Sequence, residues 1–240
     1  MQVSAHCWAV TGLAYLPPWE VNAGFICGDH TTLVVDTGAS ALAAATLHGY
    51  ATLARPGNRL LVINTERHFD HIGGNSVFRE RGAAILGHPA CVRTEAEFRA
   101  EMEEFNAAIP DPARRERGEA EVFYRGTSLA VPNQFVTEDT ALDLGGLEVQ
   151  VFLTPGHTPS NLAVYVPAEG VLYSGDCLVN SYLPNLACGA APEWHQWLDS
   201  IARIERLAPQ VVVPGHGPVA CGPDVRDMIE RVREVLEAAS

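Results

Sequence analysis

Four short polar clusters hold the residues of this 240-residue chain best suited to chemistry. Glu66-Arg67-His68-Phe69-Asp70-His71 brings two carboxylates and two imidazoles close together, and Pro155-Gly156-His157-Thr158, Gly175-Asp176-Cys177 and Pro214-Gly215-His216-Gly217 each add one more donor beside a glycine. Neutral imidazole and carboxylate are the donors that hold Zn, Mn or Fe. A single loop histidine is ordinarily a surface residue. Four clusters of one kind, each following an apolar run, point instead to a metal centre assembled from distant parts of the chain.

The clusters need elements to present them. The apolar runs Leu60–Ile63, Val149–Leu153, Val171–Tyr173 and Val211–Val213 precede them and read as buried strands. Val21–Cys27 and Thr31–Asp36 flank Gly28-Asp29-His30 as a hairpin, and Thr140–Leu144 and Leu147–Leu153 flank Gly145-Gly146 as another. Leu162–Val166, paired through Pro167–Gly170, and Ala83–Leu86 complete the strands. The spacing predicts helices from Ser40 to about Ala54, around Ser76–Arg81, from Pro192 to Leu207 and over Asp224–Ala239. Glu95–Arg117 is dense in mixed charge, holds Pro110 and Pro112, and reads as a helical hairpin outside the main core. Strands followed by a helix, twice over, suit two sheets packed face to face with helices outside. The expectation is one domain over residues 1–240, with a helical insertion at about 92–120.

Composition narrows the function. With 47% apolar and 19% charged residues, the chain can bury a sizeable core. Sixteen basic against twenty-nine acidic residues give a net charge of −13, which opposes general affinity for nucleic acid or anionic membranes. Every basic residue is arginine, so lysine Schiff-base and P-loop chemistry are excluded. No apolar run approaches the ~18 residues of a membrane-spanning helix. The N-terminus shows no basic and apolar leader, and the six cysteines contain no CxxC pair. A cytoplasmic protein with free thiols is expected, acting on a small-molecule substrate without nucleic acid or membrane partners; a homo-oligomer is left open.

The order ExHxDH…GH…GD…GH resembles the metallo-β-lactamase superfamily, whose hallmark is HxHxDH followed by His, Asp and His. Thr-Pro-Gly-His-Thr-Pro-Ser and Tyr-Ser-Gly-Asp are also similar to that superfamily. The resemblance implies an α/β fold, an αββα sandwich of two mixed β-sheets flanked by helices, with metals at one edge. It implies His68 and His157 in a first metal site, Asp70, His71 and His216 in a second, and Asp176 bridging both. Glu66 stands where the family has histidine and can ligate through oxygen. The implied cofactor is Zn2+, one or two ions, with Mn2+ or Fe2+ as alternatives because of Glu66.

The implied activity is that of a metal-dependent hydrolase. It uses a metal-bound hydroxide on a small ester, lactone, thioester or related substrate, including a β-lactam or phosphoester. Asp70 is its catalytic residue, carrying a proton to the leaving group. Two other readings are a mononuclear iron dioxygenase of sulfur substrates on the same fold, and a non-catalytic metal-binding module. The former normally ligates through the histidine that Glu66 replaces.

Beyond the clusters, Cys177 reads as a small buried hydrophobe, His195 as locally hydrogen-bonded, and Asp36 as a turn cap beside Thr37-Gly38. Phe69, Tyr124, Tyr182 and Trp194 are candidates for core or for an apolar pocket wall.

Overall fold

A computed structural model describes residues 1–13, 20–109 and 120–240. One six-stranded sheet runs β1 (Cys7–Val10), β2 (Ala23–Cys27), β3 (Thr31–Val35), β4 (Arg59–Ile63), β5 (Ala84–Gly87) and β6 (Gln134–Phe135), in that spatial order. The other six-stranded sheet holds β7 (Thr140–Asp143), β8 (Glu148–Leu153), β9 (Leu162–Val166), β10 (Val171–Val179), β11 (Val211–His216) and β12 (Ala220–Cys221) in the order β12-β11-β10-β9-β8-β7. Both are mixed: β3, β4, β5 and β6 run parallel, as do β10 and β11, and the remaining pairs are antiparallel.

The sheets are apolar on both faces, and that dictates the layers. Ile26, Leu33, Val151, Val164 and Tyr173 fill the space between them. On the outer face of the first sheet, Ala44 and Leu47 of α1 (Ala41–Ala54) and Phe78 of α3 (Asn75–Glu80) pack with Phe25, Val34 and Ile85. On the outer face of the second, Trp197 and Ile201 of α6 (Ala191–Leu207) and Met228 and Val232 of α7 (Pro223–Ala239) pack with Leu172 and Val212. The result is the expected αββα sandwich. Among the described residues, no helix is long and apolar enough to cross a membrane.

Two strands continue where the sequence reading stopped them. Val171–Tyr173 extends to Val179, and Val211–Val213 extends through Pro214 and Gly215 to His216. Glycine and proline normally interrupt a strand. Here the β10–β11 pairing absorbs them by shifting register between Tyr173 and Gly175 and again before Val179. Asp176 and His216 therefore stand on paired strands, not on loops.

Of the expected insertion, α4 (Glu95–Ala107) is present, started by a reciprocal capping box between Thr94 and Glu97. The short α5 (Ala120–Phe123) follows. The part of the expected hairpin spanning 110–119 lies outside the described residues.

Candidate metal centre

The first cluster is built on a very short helix, α2 (Phe69–Ile72), beyond the end of β4. Four residues have no helical stability of their own. Phe69 anchors them: it is fully buried, with its ring against Phe98, Phe105 and Tyr124. Such burial contributes about 1.5–3 kcal/mol. The loop before α2 is pinned by a reciprocal amide pair, Asn64 with Asn75, at 2.9 and 3.0 Å. With Phe69 turned to the core, His68, Asp70 and His71 meet the ends of the second sheet.

The seven donors expected from the sequence converge. On one side, Glu66 Oε1 lies 2.8 Å from His68 Nδ1, which lies 3.2 Å from His157 Nε2, itself 3.4 Å from Asp176 Oδ2. On the other, His71 Nε2 lies 3.1 Å from Asp176 Oδ1, and His216 Nε2 lies 3.2 Å from Asp70 Oδ2 and 3.4 Å from Asp176 Oδ2. A tetrahedral ion with bonds of about 2.0–2.2 Å holds its donors roughly 3.3–3.6 Å apart. Two such donor groups share Asp176, and one distance, 3.5 Å from His71 Nε2 to Glu66 Oε1, joins them.

Three of these buried atoms carry no hydrogen bond. Glu66 Oε1, His71 Nε2 and Asp176 Oδ1 are buried and have no hydrogen-bond partner, although each lies near another donor of the centre. Orphaned buried polar atoms are costly. Buried oxygen and nitrogen atoms this close together without a hydrogen bond of good geometry present lone pairs that a cation would satisfy. A divalent cation fits that donor set.

Charge points the same way. Burial opposes ionisation of Glu66, yet the imidazoles of His68 and His71 outweigh it and hold the carboxyl down at about 2. Burial likewise opposes charge on Asp176, and His216 and His71 outweigh it, holding it well below the carboxylate range. For His216 burial disfavours the imidazolium, but Asp176 and Asp70 lift it to about 10. The cluster demands positive charge, which protons supply when no metal does.

Outward nitrogens set the orientation of the rings. His216 Nδ1 faces the Glu20 carbonyl oxygen at 3.0 Å. His71 Nδ1 faces Asp36 Oδ2 at 2.9 Å. This corrects the reading of Asp36 as a turn cap. Its carboxylate is buried, and also accepts from the Thr65 N–H at 2.7 Å and the Thr65 hydroxyl at 2.6 Å. It holds a positive φ of 58°, which aspartate tolerates better than most residues. Asp36→Asn removes the charge that orients His71 and should weaken cobalt binding at the group containing His71 about 10–100-fold. A cobalt titration with unchanged affinity would contradict that role.

Gly215 is required by closeness: a Cβ there would lie 1.8 Å from Asp176 Oδ1. Asn22 ties the sheets together at this edge, donating to the carbonyls of Pro214 and Gly217 at 2.9 and 2.7 Å.

The centre opens into a cavity of about 960 Å³. It is lined by Glu97, Glu101 and Phe105 of α4 and by Tyr182 and Leu183. Arg67 and Arg93 reach into it, and each has a partner on α4: Arg67 lies 3.8 Å from Glu97, and Arg93 pairs closely with Glu101. Sequence reasoning did not single out Cys188, which stands at the cavity edge with its sulfur 3.9 Å from His68 Nε2.

The remaining candidates settle elsewhere. Cys177 is fully buried in the core, and burial pushes its thiol up. His195 Nδ1 faces the Ala191 carbonyl oxygen one helical turn back, at 2.6 Å. Tyr124 packs on Phe69, Tyr182 lines the cavity, and Trp194 packs at the fringe of the α6 core.

Comparison with known proteins agrees with this geometry. The sequence pattern of the Metallo-beta-lactamase superfamily matches residues 16–216. A probable metallo-hydrolase of Bacillus subtilis (strain 168) is 27% identical over 200 residues, covering 82% of this chain and 80% of the relative. A hydroxyacylglutathione hydrolase of Xanthomonas euvesicatoria is 29% identical over 215 residues, covering 88% of this chain and 64% of the relative. Among solved structures, a metallo-beta-lactamase from Pontibacter korlensis superposes with a TM-score of 0.71 at 18% identity, over 99% of this chain and 97% of its own. A metallo-beta-lactamase family protein from Thermus thermophilus gives 0.70 at 24% identity, over 97% and 80%. The chain belongs to the metallo-beta-lactamase superfamily, as a metal-dependent hydrolase.

Proposed function

We propose that the chain hydrolyses a small ester, lactone or thioester at a two-metal centre. Glu66, His68 and His157 would hold one ion, Asp70, His71 and His216 the other, and Asp176 both, with zinc as the preferred metal. The observation that carries this reading is the convergence of the seven donors around Asp176, with Glu66 Oε1, His71 Nε2 and Asp176 Oδ1 buried there without a hydrogen bond of good geometry. A divalent ion bound there supplies Lewis acidity toward the acyl oxygen and lowers the pKa of water toward about 7.

The side chains do the rest. Asp70 turns Oδ2 toward His216, which leaves Oδ1 to accept a proton and hand it to the leaving group. Tyr182 and Leu183, with Phe105 of α4, give the cavity apolar surface for an acyl or alkyl group. The net charge of −13 disfavours polyanions such as RNA. All six cysteines are free, which supports action in the reducing cytoplasm.

The test is hydrolysis of an aryl ester, a thioester and a lactone by chelator-treated protein reloaded with Zn2+, Mn2+ or Fe2+. Turnover restored only by metal is expected. Sulfur-dependent oxygen uptake without hydrolysis would favour the dioxygenase reading instead.

Glu66 tunes the choice of metal. Glu66, Asp70 and Asp176 place three carboxylates around the centre, where a histidine at 66 would leave two. The added anion weakens the Lewis acidity of the first ion, and its oxygen shifts preference from zinc toward manganese or iron. Glu66→His should therefore raise zinc content toward two ions per chain when both proteins are prepared in equal zinc. Two full zinc equivalents in the parent, with no change in the variant, would remove Glu66 from this role.

A further inference from the structure

Each imidazole of the centre has an inward and an outward nitrogen; the outward Nδ1 of His157 is buried without a partner, and the outward partners of the other three differ in kind. His71 is held from outside by the Asp36 carboxylate, and His216 by the Glu20 carbonyl oxygen. His68 is turned the other way round. Its Nδ1 faces inward, 2.8 Å from Glu66 Oε1 and 3.2 Å from His157 Nε2. Its Nε2 faces outward, and the group it meets is Cys188 Sγ at 3.9 Å, within reach of an N–H···S hydrogen bond.

Cys188 is held there by its own turn. Leu186–Cys188 forms one turn of 3-10 helix, capped by Asn185, whose side-chain oxygen accepts from the Ala187 N–H at 3.1 Å. His68, His157 and Cys188 offer donor atoms that all lie within 4.8 Å of one another. Across the same His68 ring stands the fully buried Glu66, whose Oε1 has no hydrogen-bond partner and is aimed into the first metal site. The thiol is therefore part of a site that calls for a ligand.

We propose that Cys188 is the positioning residue of His68: its sulfur accepts the Nε2–H, fixes Nδ1 as the inward nitrogen, and places the first metal site under the control of one accessible thiol. The inference rests on the two-metal reading above. Sulfur is a weaker acceptor than the oxygens behind His71 and His216, so the orientation of His68 is more easily lost than theirs. Cys188 is half-buried at the cavity edge, whereas Cys7, Cys27, Cys91 and Cys177 are buried; Cys221, the other accessible thiol, is on β12. Alkylation by iodoacetamide illustrates the control. A sulfur–carbon bond forms, the carbon–iodine bond breaks, iodide leaves and the thiol proton goes to solvent. The added amide group then displaces the sulfur from His68.

The experiment is cobalt(II) titration, followed by visible absorption, of full-length protein carrying Cys221→Ser to limit labelling to one thiol. Cys188→Ala is expected to weaken cobalt binding at the site containing His68 about 10–100-fold and to leave the site containing Asp70, His71 and His216 unchanged. Cys188→Ser keeps an acceptor and should restore most of the affinity. Alkylation of the Cys221→Ser protein should reproduce the alanine result. Cys188 lies on a surface turn outside the core, and circular dichroism checks that each variant folds.

Unchanged affinity in Cys188→Ala would overturn the proposal. So would a near-ultraviolet thiolate-to-cobalt charge-transfer band that disappears in Cys188→Ala, because sulfur would then be a ligand and not the partner of His68. Failure of the Cys221→Ser protein itself to bind cobalt at either site would instead defeat the two-metal reading.

Discussion

Asp176→Asn is expected to release metal from both halves of the centre while the protein stays folded. Asp176 is the one side chain that both donor groups share: Oδ1 lies 3.1 Å from His71 Nε2, and Oδ2 lies 3.4 Å from both His157 Nε2 and His216 Nε2. Asparagine keeps the volume but removes the negative charge. It also replaces one donor oxygen by an NH2 whose hydrogens point where a cation would sit. Losing an outer partner of a ligand already costs about 10–100-fold in affinity, so losing a shared ligand should cost more at both sites. Metal analysis after dialysis should fall from the parent's content toward none, with the far-ultraviolet circular dichroism preserved. Parent-like metal content would show that Asp176 does not bridge.

Asp70→Asn separates proton transfer from metal binding. Asp70 is buried on α2 and reaches the cavity floor, with Oδ2 directed at His216. The amide preserves shape and one oxygen donor but cannot accept and return a proton at neutral pH. Turnover should drop about 10²–10⁴-fold at matched metal content, the usual contribution of a general acid–base group. The comparison uses the best substrate of the ester, thioester and lactone panel. Equal turnover at equal metal content would remove Asp70 from the proton path.

The four clusters were legible in the sequence because each sits next to a signal that is local, whereas the division of their donors between two sites came from the resemblance to the superfamily. The apolar runs Leu60–Ile63 and Val211–Val213 announce strands, and the glycines at 156, 175 and 215 mark where backbone approaches closely. Asp36 was not legible as a partner of His71, because its role depends on registry between separate strands. Parallel pairing of Val35 with Ile63 brings the residue after β3 alongside the one entering Thr65, and no pattern within either segment encodes that. Cys188 escaped for a similar reason: 120 positions separate it from His68, and the turn that carries it has no motif.

Strand ends were misread where local rules meet tertiary pairing. Gly175 and Pro214 each signal a break, yet they oppose one another in the β10–β11 pair, where the register shift accommodates both. The same pairing puts Asp176 and His216 on one rigid platform, a firmer support for ligands than two loops would be. The cavity wall from α4 was visible as a charged helix. Its orientation toward the centre follows from Phe98 and Phe105 packing on Phe69, and from the Phe69 N–H donating to Glu101 Oε1 at 3.2 Å.

Anomalous X-ray scattering from a crystal grown with zinc, recorded above and below the zinc edge, tests the two-metal centre most directly. Two peaks should appear, the weaker within ligand distance of Glu66, His68, His157 and Asp176, the stronger within ligand distance of Asp70, His71, His216 and Asp176. An absence of anomalous density among these seven side chains, or a peak elsewhere with Glu66 and Asp176 hydrogen-bonded only to protein, would contradict it.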